Sequence, residues 1–504
     1  MTTSRIGLRI FANSAWLGGV NYVLGWARLL QLLPEKERPY IVFLYTTEES
    51  HQVAQDNAHL CDEIAQFTLS GSQNLDMVYP ATQLAEVPMN TPWAGWIPDW
   101  QCQHLPELFD DQEKTRRRVQ YHLLAQHSAV CVCSSQQGMD DTEAQLPHAD
   151  KTLFKLHFPA NIADADFDHA ETLQVSAREK YNLPEEYLLI CNQFWRHKNH
   201  LAVLRCVKKL GDRSPTVVMT GAIQDTRWPE YKAEVEGLLA DPEVLAKVIV
   251  TGQITREEQL GILFGARGLI QPSLFEGWSS FVEEGRATGK AIILSDIPVH
   301  REQNPPGCVF FDTEHPDQLE RAMANWCDLP VQPLTQARQA HREFSIQCAR
   351  QFLDLSTQVR DRWSIENDAK VIAADQLASL HTEIGTTLEQ TDFDLFAAGV
   401  RQLFRDYPQD LARLAHLICQ DDHPLSSQAP ALILLATMRK AGNDFTKAFF
   451  DHDPWQDPWL EQLQEQSDKS PLSLTKHLTL RSVLLSRELL HTIRSTLERK
   501  LDIS

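Results

Sequence analysis

Short apolar runs trade places with helix-patterned stretches from the start of the chain to about residue 345, and few folds accommodate that rhythm. Strands separated by helices pair side by side through crossovers, so the pattern predicts parallel α/β sheets. One set of runs falls at 6–11, 40–45, 96–97, 129–133 and 153–158. A second falls at 188–192, 216–220, 247–251, 268–271, 291–294 and 309–311. At 504 residues the chain exceeds the ~250–300 at which a single core stops growing. Two doubly wound, Rossmann-like domains are therefore expected, at 1–165 and 166–364, joined through an Ala-, Asp- and Asn-rich segment near 159–172. Open parallel sheets bind ligands outside the carboxyl ends of their strands, so two facing sheets make a cleft. A helical stretch at 336–363 ends this region. Residues 365–504 hold only Gly385, Gly399 and Gly442 of the 21 glycines, and apolar residues recur there at helical spacing, as in Leu395, Phe396, Val400, Leu403 and Phe404. An all-helical C-terminal extension follows, with a loop at 451–459. It suits packing or docking, against a partner or a second copy.

The densest chemistry follows the run 268–271. Pro272-Ser273-Leu274-Phe275-Glu276-Gly277-Trp278-Ser279-Ser280-Phe281-Val282-Glu283-Glu284 reads as a strand-to-helix turn, punctuated by Pro272 and Gly277. Glu276 falls on the turn, and Glu284, eight positions later, in the first turns of the helix. Backbone N–H groups at Ser279, Ser280 and Phe281 are orphan donors at a helix N-terminus, which suits an anion. Carboxylates on either side of an anion site suit a ligand with phosphates in the middle and hydroxyl-bearing sugars at both ends. A carboxylate accepts paired hydrogen bonds from neighbouring hydroxyls. A nucleotide sugar meets that description.

With these residues in place, the chain resembles the retaining GT-B glycosyltransferases of family 4. The E-x7-E spacing in its Pro-Ser-x-x-Glu-Gly setting carries the resemblance. So do Val248-Ile249-Val250-Thr251-Gly252-Gln253-Ile254 upstream and Gly289-Lys290-Ala291-Ile292-Ile293-Leu294-Ser295-Asp296-Ile297-Pro298 downstream. The resemblance covers about 5–363 and is densest at 188–312. It implies a GT-B fold whose last helix crosses back to the first domain. It implies metal-independent transfer of a hexosyl group from a nucleoside diphosphate sugar to an acceptor, with retention, in surface glycan or glycoconjugate assembly. It also implies residue roles. Glu284 would bind the donor ribose and Glu276 the hydroxyls of the transferred sugar. Gly18 and Gly19, after the first strand, correspond to a glycine loop whose backbone approaches the donor diphosphate. Lys198 matches a lysine that neutralises that diphosphate. The arginine expected five positions earlier is Gln193 here, and Arg196 is the candidate to supply its charge. His104 matches a histidine that faces the transferred sugar, with Asp99, nearer the strand end, as a second candidate. Gln253 and Ile254 would pass near the nucleobase.

Composition excludes other classes. A formal charge of −21 disfavours nucleic acid and broad adhesion to an anionic membrane. Lys114-Thr115-Arg116-Arg117-Arg118 is the short basic exception, a candidate for peripheral membrane contact whose ordinary reading is a solvated helix face. The ten cysteines show no metal spacing. Cys131 and Cys133 alternate on one strand, so both point to one face as buried thiols, which suits a reducing compartment. No apolar run approaches the ~18–20 residues of a membrane span. Arg5 and Arg9 break the first apolar run as a signal core, so a cytoplasmic location is expected. Asp164-Ala165-Asp166 imitates a D-x-D metal motif, but it lies in the connecting segment and is expected to be solvent-exposed acid. No metal and no cofactor beyond the donor are expected. Two rivals remain. One is a GT-B sugar phosphorylase or nucleotide-sugar epimerase; exchanging phosphate for nucleotide would leave Glu284 without its ribose. An inactive GT-B scaffold would use the helical extension to bind a partner. Gln193 favours the scaffold, and the joint presence of Glu276, Glu284 and Lys198 opposes it.

Overall fold

The computed structural model describes residues 4–389 apart from 12–16, 68–73, 83–90, 111–112, 115–116, 118–120, 122–123, 126–127, 148–150 and 224–227, with side chains through Trp363. The chain divides into two compact units, one of Met1–Leu84 and Thr91–Arg360 and one of Ala85–Asn90 and Asp361–Ser504. The first unit holds two parallel sheets. In the first lobe, β1 (Arg5–Arg9), β2 (Tyr40–Tyr45), β3 (Glu63–Gln66), β4 (Met77–Ala81), β5 (Trp93–Ile97), β6 (Val130–Cys133) and β7 (Leu153–Lys155) lie in the order β3-β2-β1-β4-β5-β6-β7. In the second lobe, β8 (Leu188–Cys191), β9 (Val217–Thr220), β10 (Val248–Gly252), β11 (Gly268–Gln271), β12 (Ala291–Ser295) and β13 (Val309–Phe311) lie in the order β10-β9-β8-β11-β12-β13. These are two Rossmann-like lobes facing a cleft, the GT-B arrangement.

The strands are apolar on both faces because helices cover both faces. In the second lobe Ile190, Met219, Ile270 and Ile293 pack against the helix His200–Leu210 on one side. Their neighbours Leu189, Val218, Leu269 and Ile292 pack against Phe281 and Val282 on the other. Two first-lobe strands, β3 and β4, lie outside the runs singled out from the sequence. β3 is a half-buried edge strand containing Glu63 and Gln66. β4 carries Pro80, which a sequence reading takes as a mark against a central strand; its pairing to β5 shifts register between Val78 and Ala81. Cys131 and Cys133 are fully buried on β6 as free thiols, and burial pushes Cys133 up to about 12.

A helix spanning Leu334–Glu389 closes the second lobe and crosses to the first. Near its start, Gln332 donates its backbone N–H to the Gly289 carbonyl at 3.0 Å. Farther on, the Phe352 ring sits 4.7 Å from Trp26 and 5.4 Å from Tyr79 in the first-lobe core. Burying such a ring contributes ~1.5–3 kcal/mol. The exposed Arg350–Glu37 pair beside it, at 3.1 Å, adds ~0–1 kcal/mol. The helix continues unbroken through the boundary expected at 364/365. The rest of the expected helical extension, including its loop at 451–459, lies outside the described residues. No helix among the described residues is long and apolar enough to cross a membrane. Of the basic run 114–118, only Lys114 and Arg117 are described. Arg117 departs from a solvated face: it bonds Glu113 at 2.7 Å and lies over the Phe109 ring at 5.0 Å.

Candidate active site between the lobes

In a sheet of this order the connections diverge on either side of the first strand, which opens a crevice at the strand ends. In the second lobe that point lies between β8 and β11. The loop after β8 carries Lys198 and the loop after β11 carries Glu276, so topology joins two side chains 78 residues apart in sequence. Asn199, at φ 56°, turns the chain from Lys198 into the helix His200–Leu210, a left-handed conformation that asparagine tolerates.

Lys198 Nζ donates to both oxygens of Glu276, at 2.7 and 2.9 Å. Gln271, the last residue of β11, donates its Nε2–H to Glu276 Oε1 at 2.7 Å. Its own Oε1 accepts from Asn192 at 2.8 Å. Glu276 is buried. Burial alone would raise its carboxyl pKa, but Lys198, His197 and His300 together outweigh burial and bring it down to about 2. The site therefore holds a clamped, ionised carboxylate at neutral pH.

Glu284 sits on the helix Ser280–Thr288, which Ser279 caps by accepting the Val282 N–H at 3.4 Å. Ser280 and Glu284, four apart, share the face turned to the cleft. Glu284 Oε1 accepts from Arg256 Nη1 at 2.5 Å and Oε2 from Gln259 Nε2 at 3.3 Å. Arg256 also donates to the Asn161 carbonyl at 2.8 Å, in the connection between the lobes. The lobes meet closely here. A Cβ at Gly277 would lie 2.3 Å from the Pro98 carbonyl oxygen, so only glycine fits. Trp278 donates its Nε1–H to the Phe158 carbonyl at 2.9 Å and stacks on His157 at 4.3 Å.

A cavity of about 700 Å³ lies between the lobes, and Gly18, Asp99, Lys198, Glu276, Ser280 and Glu284 line it. Other residues singled out from the sequence are absent from its wall. Arg196 turns its guanidinium over the Trp228 ring at 4.4 Å. His104 bonds Asp141 through Nε2 at 2.8 Å and stacks on Phe275 at 4.9 Å, so it joins first lobe to second beside the cavity. Of the two first-lobe candidates, Asp99 is the one in the wall. Gly19 is buried. The Ser279 side chain caps the helix and the Phe281 side chain packs in the core, on the helix face opposite the cleft, while the backbone N–H groups of both stand at the helix N-terminus. Gln253 is exposed and Ile254 packs on the core; the lining comes instead from Arg256 and Gln259 on the next helix. Asp164 and Asp166 are half-buried rather than free acid: Asp164 pairs with Arg338 at 3.1 Å and Asp166 accepts the Ala163 N–H at 2.8 Å.

Sequence reasoning passed over Gln271, Arg256, Gln259 and Arg28. Weak signals existed. Gln271 is a polar end to an otherwise apolar strand. Arg256 stands in the first turn of the helix Arg256–Gly265, where the helix dipole disfavours a cation. Among the described residues no group of His, Cys, Asp and Glu is arranged to hold a metal ion.

Residues 174–344 match the family described as Glycosyl transferases group 1. The matched stretch falls on the second lobe and the start of the crossing helix. It contains Lys198, Arg256, Glu276 and Glu284. The chain is similar to the O-antigen chain mannosyltransferase RfbU of Salmonella typhimurium, at 26% identity over 147 residues. This match covers 29% of the chain and 40% of that mannosyltransferase, so it spans less than half of the relative's length. In fold, the two lobes resemble a glycosyltransferase from Rickettsia africae. The TM-score is 0.53 and the identity 14%, over 71% of this chain and 99% of that one. The Anabaena protein HepE, solved in complex with UDP and glucose, aligns at a TM-score of 0.46 and 11% identity, over 73% of this chain and 100% of that one.

Proposed function

We propose that this chain is a retaining hexosyltransferase that uses a nucleoside diphosphate sugar and builds a surface glycan or glycoconjugate. One observation carries this reading. Glu276 and Glu284 reach a single cavity from one turn-and-helix, on either side of Ser280 at the helix N-terminus. A donor would lay its diphosphate against the N-terminal amides and Lys198. Its ribose would lie on Glu284, and its transferred sugar on Glu276. Arg256 and Gln259 hold the Glu284 carboxylate in place for that contact. The barrier is departure of the diphosphate from an oxocarbenium-like carbon, so positioned cations supply most of the catalysis. The acceptor attacks from the leaving-group side and the diphosphate serves as base, with no covalent enzyme intermediate. Similarity to a mannosyltransferase of O-antigen synthesis supports the glycan assignment.

Two predictions belong to this reading. Glu284→Ala should weaken nucleotide binding, because two charge-assisted hydrogen bonds to ribose are lost at ~1.5–3 kcal/mol each before relaxation. Calorimetry that returns an unchanged affinity would sink the ribose assignment. Activity should also survive EDTA, since cationic side chains and a helix terminus do the work of a divalent ion; strict dependence on added Mg²⁺ or Mn²⁺ would count against it. The decisive experiment is a screen of UDP-, GDP- and ADP-sugars for hydrolysis and transfer, with the product anomer read by NMR.

The scaffold reading draws on one observation, that Arg196 stacks on Trp228 instead of lining the cavity. Nucleotide binding without hydrolysis or transfer from any of these donors would favour it.

A further inference from the structure

Of the four Lys or Arg and four Asp or Glu side chains in the cavity wall, seven lie within 4 Å of an opposite charge. Lys198 is paired with Glu276, and Arg256 with Glu284. Arg342 lies 3.7 Å from Asp164, and Asp99 lies 3.8 Å from Arg117. Arg28 does not fit this scheme. It lines the cavity half-buried, on the helix Leu17–Gln31, and makes no ion pair among the described residues. Its one hydrogen bond among the described residues goes from Nη1 to the neutral amide oxygen of Asn161, at 2.7 Å. The nearest carboxylate influence is Asp166, which already accepts the Ala163 N–H. Burial and the neighbouring Arg256 both act against its charge. A guanidinium presents five donors in a rigid fork, and among the described residues four of them are uncommitted. Keeping it partly dry beside a second arginine is costly unless something anionic arrives.

We propose that Arg28, with Arg256 beside it across Asn161, anchors a second subsite in this cavity that takes a phosphate or carboxylate group. The proposal rests on the reading of the cavity as a donor site. The donor's own charge cannot meet Arg28. Ten residues of helix separate Gly18 from Arg28, a rise of ~15 Å. The chain of contacts Glu284–Arg256–Asn161–Arg28 instead places Arg28 beyond the ribose end. A nucleoside diphosphate sugar carries its charge between its two sugars, so the ribose end brings no anion. The anion comes from a second molecule, either as a group on the acceptor or as a free ion.

The test uses the full chain saturated with whichever of UDP, GDP or ADP it binds. Inorganic pyrophosphate is then titrated by calorimetry. Pyrophosphate should bind alongside the nucleotide. Arg28→Gln should weaken it by about tenfold or more, the worth of one charge-assisted hydrogen bond. Nucleotide affinity should stay within about twofold, which also reports that the variant is folded. Arg28→Lys should retain part of the pyrophosphate affinity, as a point charge without the fork. Donor hydrolysis without acceptor separates the sources: pyrophosphate that alters the rate in the wild type but not in Arg28→Gln marks a free ion, and an unaltered rate marks a group borne by the acceptor. Pyrophosphate that fails to bind beside nucleotide, or binds equally to Arg28→Gln, overturns the subsite. Equal loss of nucleotide and pyrophosphate affinity in Arg28→Gln does so too, by giving Arg28 to the donor. Failure of all three nucleotides to bind the wild type overturns the donor reading and this one with it.

Discussion

Lys198→Ala should lower turnover by ~10²–10³-fold while shifting nucleotide affinity far less. The ammonium sits where the leaving diphosphate would gain charge, and a contact that strengthens toward the transition state appears in kcat rather than in binding. The same variant should be less stable. It leaves Glu276 buried, still accepting from Gln271 and beside His197 and His300, without its ammonium partner. Removing one member of a buried ion pair costs about 3–5 kcal/mol. Arg196→Ala is the natural control. Its guanidinium lies over Trp228 outside the cavity wall, so its loss should change turnover little. Steady-state kinetics with the donor found in the screen, and urea melts of both variants, check this. Equal kcat for Lys198→Ala and wild type would remove Lys198 from the reaction, and a collapse in Arg196→Ala would restore Arg196 to it.

Acid should destabilise the protein through Glu276. The carboxyl pKa falls from 4.5 to about 2 on folding. A depressed folded pKa means that the stabilisation is fully present above the unfolded value, near 4.5, and is lost as pH falls through about 2. The difference is worth on the order of 3 kcal/mol. Glu258 is also lowered to about 2, but its partner Lys180 is exposed, so solvent screening reduces its share. Urea denaturation between pH 5 and 2 should therefore show a steeper loss of stability for the wild type than for Glu276→Gln, which has no charge to titrate. Parallel curves would mean that the Lys198–Glu276 pair contributes nothing to folding.

Strand periodicity made most of both sheets legible in advance, because a strand buried on both faces must be apolar throughout. The runs 40–45, 268–271 and 309–311 coincide with β2, β11 and β13. The edge strand β3 and the proline-bearing β4 escaped because neither has that continuous pattern. Turn chemistry likewise placed Glu276 on its loop and Glu284 on its helix, since Pro272, Gly277 and the apolar helical pattern after them act through neighbours in sequence. Side-chain direction was another matter. Arg196 and Lys198 are two residues apart, yet one stacks on Trp228 and the other clamps Glu276. His104 and Asp99 both follow β5 within seven residues, yet only Asp99 reaches the cavity wall. Local sequence determined the fold class, the switch-point loops and the two carboxylates, because backbone preference and burial are short-range. Tertiary structure alone decided which cations meet them. Lys198, Arg256 and Arg28 come from separate elements, and the register of two sheets and the crossing of one helix set the ångström distances on which an ion pair depends.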